Sequence, residues 1–260
     1  MSIVIKNLNL KYDDKLVLKD INFTLDNNKT LSIIGTSGSG KTSLVKALNG
    51  DAIYDGSIKI DGTEVKENPE ILKQYVAVVY KDFTFMKFKV RDEFRYYLEN
   101  LNITKEEIEN RIDEINEYFD INRLLSKDVE LLSLNDKILV KVLSYAIAKP
   151  RYIFIDDLLK EMDVRTKILL LNYLNSNDII LINVTSDMED VLYTDYVICL
   201  YNGVDAIDGN TCSVLENEKL LKRLGFELPF IVDLSMQLKL YGLVDKIYYN
   251  KESLEDDLWK

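Results

Sequence analysis

A chain of 260 residues with 47% hydrophobic content can bury a large core and fits one α/β domain plus additions. Its formal charge of −11 excludes a general nucleic-acid binder, which needs a basic face to release counterions, and the complete lack of histidine leaves no imidazole for catalysis or switching. The two cysteines, Cys199 and Cys212, stand in unrelated surroundings, so neither a disulfide framework nor a metal cluster is expected and a reducing cytoplasm is the natural setting.

Met1 leads directly into SIVIKNLNLKY, so no export signal is expected, and no stretch approaches the roughly 18 consecutive apolar residues of a membrane span. Residues 3–11, IVIKNLNLK, alternate in polarity and predict a strand, followed by Tyr12 and the turn-like Asp13 and Asp14. A second strand is expected over Val17–Leu25, giving the edge of a small antiparallel sheet. Asp26, Asn27 and Asn28 then turn the chain into the next strand.

The stretch Leu31–Ser43, LSIIGTSGSGKTS, is the most informative in the chain. Gly35, Gly40, Lys41 and Thr42 fill the phosphate-loop template G-x-x-x-x-G-K-[ST]. The apolar run Leu31, Ile33, Ile34 precedes it as a strand, and helix-spaced Leu44, Ala47 and Leu48 follow. Glycines let successive backbone N–H groups turn inward onto an anion, and the helix dipole adds positive potential at the same place. An accidental Gly/Ser-rich turn would need neither flank. Gly35, Thr36, Ser37, Gly38, Ser39, Gly40, Lys41, Thr42 and Ser43 are therefore the expected nucleotide contacts, with Lys41 reaching the β- and γ-phosphates and the Thr42 hydroxyl on Mg²⁺.

The loop's helix is expected to stop at Gly50, Ser57–Ile60 with Asp61 and Gly62 to form a hairpin, and Val76–Tyr80 to be a buried strand. From about Phe85 to Pro150 the pattern is helical. Thr104 with Glu107 forms a capping pair ahead of the stripe Ile108, Ile112, Ile115, Phe119, and Ser133 with Asp136 repeats it ahead of Val140, Leu143 and Ile147. The run YIFI, Tyr152–Ile155, reads as a central parallel strand ending in Asp156 and Asp157. A helix over Val164–Leu174 leads to a strand over Ile179–Val184 that ends in Thr185, Ser186 and Asp187, and two more strands are expected at Tyr196–Tyr201 and Asp205–Ile207. Such alternation predicts a parallel sheet covered on both faces, with ligands beyond the strands' carboxyl ends. After about Thr211 two amphipathic helices, through Leu220, Leu221, Leu224 and through Ile231, Leu234, Leu238, Tyr241, are expected to lie outside the core sheet, with a loosely attached acidic end ESLEDD and Trp259.

The order of these pieces (Tyr12, the phosphate loop, a helical insertion, LSLND at Leu132–Asp136, IFIDD at Ile153–Asp157, Asp163, and VTSD at Val184–Asp187) resembles the ATP-binding subunit of an ABC transporter over about the first 210 residues. The segment Leu221–Leu243, LKRLGFELPFIVDLSMQLKLYGL, resembles the C-terminal helices of energy-coupling factor (ECF) transporter ATPases. The resemblance implies an α/β P-loop NTPase of the ABC type: a mainly parallel core sheet, an antiparallel N-terminal β subdomain, a helical subdomain at about 85–150 and a helical extension at 211–260 serving dimerisation. It implies ATP and Mg²⁺ as cofactors, and a second ABC ATPase subunit and a transmembrane coupling subunit as partners. The chain would lie peripherally on the inner face of the cell membrane, driving uptake of a micronutrient.

By the same resemblance Tyr12 would stack on adenine and Asp156 would hold Mg²⁺, while Asp157 takes the catalytic-glutamate position, Ser186 the switch-histidine position and Lys81 the Q-loop glutamine position. Asp157 is shorter than glutamate by one methylene, and a misplacement near 1 Å costs about 10²-fold. Ser186 donates a hydrogen bond without carrying charge, and Lys81 neutralises phosphate charge but repels Mg²⁺. The signature L-S-G-G-Q is L-S-L-N-D here, so Leu134 and Asn135 bring side chains where glycines admit a phosphate, and Asp136 is expected to act as a capping acid. These departures beside an intact phosphate loop imply binding with weak hydrolysis, in a heterodimer with a more regular paralogue. A regulatory or structural pseudo-ATPase is the alternative, and a GTPase or small-molecule kinase is disfavoured because no N-K-x-D motif is present. Phe83, Phe85, Met86 and Phe88 crowd the segment that receives a membrane subunit's coupling helix in this family, and are expected to form a docking groove.

Overall fold

Alternation of apolar side chains along short strands sets which layer each one faces. The computed structural model describes residues 2–26, 29–73, 75–99, 101 and 103–259, and the expected turn at Asn27 and Asn28 lies outside them. In chain order the strands and α-helices are β1 (Ile3–Tyr12), β2 (Lys15–Leu25), β3 (Leu31–Gly35), α1 (Lys41–Leu48), β4 (Tyr54–Ile60), β5 (Thr63–Glu64), α2 (Pro69–Leu72), β6 (Val76–Val79), α3 (Val90–Glu99), α4 (Lys105–Phe119) and α5 (Asn122–Leu125). They continue with α6 (Leu134–Ala146), β7 (Tyr152–Asp156), α7 (Val164–Ser176), β8 (Ile180–Thr185), β9 (Tyr196–Tyr201), β10 (Val204–Asn210), α8 (Thr211–Leu215), α9 (Glu218–Arg223), α10 (Phe230–Leu240) and α11 (Lys251–Leu258).

Two sheets result. One is antiparallel, in the order β2-β1-β4-β5; the other runs β10-β9-β3-β8-β7-β6, parallel except for the β9–β10 hairpin. Strand β7 is an inner strand next to the β6 edge, and the middle of the sheet is held by β3 and β8. Its side chains divide between two cores: Ile153 and Ile155 join the helical layer, whereas Tyr152 and Phe154 face α1 and the antiparallel sheet. Leu44, Val45, Ala47 and Leu48 of α1 are fully buried in the second core, each larger side chain contributing roughly 1.5–3 kcal/mol. That burial fixes the helix that carries the phosphate loop.

The helical layer is built as its sequence pattern predicts. Thr104 Oγ1 accepts the Glu107 N–H at 3.1 Å and Ser133 Oγ accepts the Asp136 N–H at 3.1 Å, closing the first turns of α4 and α6. Ile108, Ile112, Ile115 and Phe119 point inward from α4.

The C-terminal segment differs from the expectation in two ways. Val214, Leu215, Leu221 and Leu224 share a core with Ile34, Val197 and Cys199, so α8 and α9 cover a face of the core sheet instead of lying outside it. There they join Met188 and Val191, which cover part of the same face from the turn after β8. The acidic end is helix α11, capped by Asn250 Oδ1 on the Ser253 N–H at 2.8 Å and pinned through buried Leu254 to Val244 and Tyr248. Trp259 beyond it is exposed. Among the described residues no helix is long and apolar enough to cross a membrane.

Candidate functional site

Parallel strands deliver their carboxyl ends to one edge of the sheet. Because β3, β8, β7 and β6 are neighbours in that order, this edge gathers the phosphate loop after Gly35, Ser186 after β8, Asp156 and Asp157 at the end of β7, and Lys81 two residues beyond β6. A cleft of about 610 Å³ opens there, lined by Ser37, Gly38, Lys41, Thr42, Lys46, Tyr80, Lys81, Asp82, Asp156, Asp157 and Ser186.

The loop needs its glycines for space and for backbone conformation. A Cβ at Gly35 would collide with the Ser39 hydroxyl and the Leu200 carbonyl; Gly40 has φ 106°, and a Cβ there would sit 2.6 Å from Leu18 Cδ2. Gly40 caps α1 without a side-chain hydrogen bond, and no acidic residue occupies the first turn, so the leading N–H groups and the positive end of the helix are available to an anion. The buried Ser39 hydroxyl has no hydrogen-bond partner among the described residues. Lys41 Nζ donates to the carbonyls of Gly35 (2.5 Å) and Thr36 (3.2 Å), which tethers the ammonium to its own loop. Burial holds its pKa below the ordinary lysine value, against the opposing pull of Asp157 and Asp156. These features fit a polyphosphate.

Thr42 Oγ1 donates to Asp156 Oδ2 across 3.2 Å, joining the start of α1 to the end of β7. Burial raises the Asp156 carboxyl above its usual range, and the Thr42 hydrogen bond opposes that shift. A hydroxyl and a carboxylate side by side, facing a phosphate loop, are the hard oxygen donors that fit magnesium.

Asp157 is differently placed. Its backbone is left-handed (φ 58°), a region aspartate tolerates better than most side chains, and its N–H is bonded to Val184 O at 2.7 Å. Oδ2 accepts from Lys160 Nζ at 2.8 Å and Lys81 Nζ at 3.2 Å, and Oδ1 from Ser186 Oγ at 3.3 Å. Lys160 also donates to Ser186 Oγ at 3.2 Å. Burial pushes the Asp157 carboxyl upward, but hydrogen bonds and charge from Lys160 and Lys81 outweigh it, leaving the group below the usual carboxylate range. A carboxylate held this way is a weak base.

Several expectations change. Asn135 is turned into the protein: its Oδ1 accepts the Asp163 N–H at 3.0 Å and its Nδ2 donates to Thr166 Oγ1 at 3.4 Å, so it braces α6 against α7. Leu134 does project, 57% exposed. The four residues of the expected docking groove divide in exposure, and Phe83 and Met86 line a cavity of about 210 Å³ with Tyr97 and Tyr145. Phe83 and Phe85 pack edge-to-face at 5.6 Å and against the helical core, leaving Met86 (56% exposed) and Phe88 (82%) facing solvent. Tyr12 is 44% exposed at the end of β1, paired with Lys15, and does not line the cleft. Gly35, Thr36, Ser39 and Gly40 shape the loop and Ser43 lies in the first turn of α1, none of them lining the cleft. Lys160 was not expected, although a three-residue separation from Asp157 meets on one side of a 3₁₀ turn such as Leu159–Glu161.

The model for the family described as ABC transporter matches residues 18–160. The energy-coupling factor transporter ATP-binding protein EcfA of Malacoplasma penetrans is 31% identical over 265 residues, covering 98% of this chain and 92% of its own length. The protein of that name from Aster yellows witches'-broom phytoplasma is 30% identical, covering 99% and 98%. Two solved structures share the fold: an ATP-binding subunit of an ABC transporter (TM-score 0.77, 20% identity, covering 87% of this chain and all of that one) and cbiO1 from Clostridium perfringens, part of the ABC transporter complex cbiONQ (TM-score 0.76, 23% identity, 90% and 98%). The chain belongs to the ABC transporter family and, within it, to the energy-coupling factor transporter ATP-binding proteins.

Proposed function

We propose that this chain is the ATP-binding subunit of an ECF-type transporter, taking ATP on the phosphate loop and hydrolysing it weakly. The observation that carries the reading is the pairing of Thr42 with Asp156 at 3.2 Å beside an uncapped helix start, at the edge where five parallel strands end. Loop amides and Lys41 bind the β- and γ-phosphates, and Tyr12 stacks on adenine from the end of β1. Thr42 and Asp156 hold magnesium, which when bound neutralises charge developing on the phosphate oxygens. Asp157 and Ser186 orient water poorly, because the carboxylate is already engaged by Lys160 and Lys81.

Residues 1–210 form the nucleotide-binding unit and 211–260 a dimerisation element. The partners are a second ABC ATPase, in a heterodimer, and a transmembrane coupling subunit that draws the chain to the inner face of the membrane and imports a micronutrient. Similarity to transporter subunits over nearly the whole chain favours transport over a regulatory or structural pseudo-ATPase. Affinity purification from the native cell tests this: a second ATPase and a multi-span membrane protein are expected to come through together, and recovery of neither would overturn the reading.

A further inference from the structure

Asp157 has two lysines where one would satisfy it, and they differ. Lys160 is close (2.8 Å), three-quarters buried, and bonded as well to Ser186. Lys81 is farther (3.2 Å), 60% exposed, carried on the segment after β6, and lines the cleft together with Lys41 and Lys46. If Lys81 leaves Asp157 for an arriving phosphate, Lys160 still neutralises the carboxylate. Departure of Lys81 therefore strands no buried charge.

The electrostatics of the cleft point the same way. Asp82, Asp156 and Asp157 form an acidic wall that would repel a triphosphate, and a divalent ion is the usual remedy. Here the side chains supply cations of their own: Lys41, Lys46 and Lys81 match the three carboxylates within the lining, and Lys160 adds a fourth charge behind Asp157. An ammonium on a flexible stem is a competent phosphate ligand as a point charge.

Building on the nucleotide-binding reading above, we infer that Lys81 is a phosphate-binding residue that lets this site take ATP with little dependence on a divalent ion. Lys160 is its positioning residue: by holding Asp157 it frees Lys81 to move.

The test is calorimetric titration of the full-length protein with ATP, once with magnesium and once with EDTA. For the wild type, EDTA is expected to weaken binding by less than about fivefold, because protein cations replace the ion's charge. Lys81→Gln is expected to bind in magnesium yet weaken by about fivefold or more in EDTA, with Lys81→Arg, which keeps the charge, behaving as wild type. Lys160→Gln should show the same EDTA penalty, since Asp157 would then retain Lys81; a merely structural role would lower affinity equally in both conditions. A wild-type loss of fivefold or more in EDTA, or an EDTA penalty in Lys81→Gln no larger than that of the wild type, would overturn the inference. Absence of ATP uptake in magnesium as well would instead overturn the nucleotide reading on which it rests.

Discussion

Glu93 Oε1 accepts a hydrogen bond from Lys141 Nζ at 3.0 Å with both side chains closed off from solvent, and Glu93 Oε2 accepts the N–H groups of Met86 and Lys87 at 2.8 and 2.9 Å. One carboxylate thereby ties α3, the signature helix α6 and the loop carrying exposed Met86 and Phe88. Lys141 is further enclosed by the Tyr97 hydroxyl at 2.9 Å and by the rings of Phe85, Tyr97 and Tyr145. Removing one partner of such a pair leaves a buried charge alone. Lys141→Met is expected to destabilise the protein by about 3–5 kcal/mol, and Glu93→Gln combined with Lys141→Met by clearly less. Urea unfolding of the three proteins reads this directly, and an unchanged midpoint for Lys141→Met would contradict it.

Asp156 illustrates a cost of function. Burial raises its pKa in the folded state, so above the unfolded value of about 3.9 the fold binds protons more readily than the unfolded chain, and stability falls as pH rises through that window. Asp156→Asn removes the charge and keeps an acceptor for Thr42. At neutral pH it should raise stability by roughly 1 kcal/mol while weakening Mg-ATP binding, and the gain should vanish below about pH 4. Thermal unfolding at both pH values, with nucleotide titration beside it, supplies the check.

The two phenylalanines of the docking loop should behave oppositely. Phe88→Asp alters an exposed side chain and is expected to release the membrane partner with ATP binding intact. Phe85→Asp puts a charge against Phe83 and the helical core, and should lower stability by about 3 kcal/mol or more. Co-purification and melting curves separate the two effects; retention of the complex by Phe88→Asp would refute the docking assignment.

At the signature, Leu134 stands out from the start of α6 while Asn135 is committed to Asp163 and Thr166. Leu134→Gly should therefore admit a partner's phosphate more closely and raise ATP turnover of the reconstituted pair by roughly 3- to 10-fold. Asn135→Gly should instead cost about 1 kcal/mol of stability by removing the brace. Equal effects on turnover from both would contradict this division.

The phosphate loop, Asp156, and the capped helices α4 and α6 were legible because each depends on short-range chemistry: a glycine template, an acid at the end of an apolar strand, a hydroxyl three residues ahead of an acid. Asp157's loss of basicity was not legible, since it depends on Lys81 arriving from another strand and on a 3₁₀ turn presenting Lys160. Phe85 and Phe88 are alike in sequence and differ only because Lys141 and Phe83 pack on one of them. Leu254 in ESLEDD looks incidental among acids until Val244 and Tyr248 are seen to receive it. Each of these depends on which side chains meet in three dimensions, not on the residue pattern alone.

Calorimetry of the purified protein with Mg-ATP tests the account most directly. Uptake of one equivalent per chain is expected, together with a loss of about tenfold or more in affinity for Lys41→Ala, since the ammonium beside the loop amides is removed. No uptake at millimolar nucleotide, or uptake indifferent to Lys41→Ala, would contradict it.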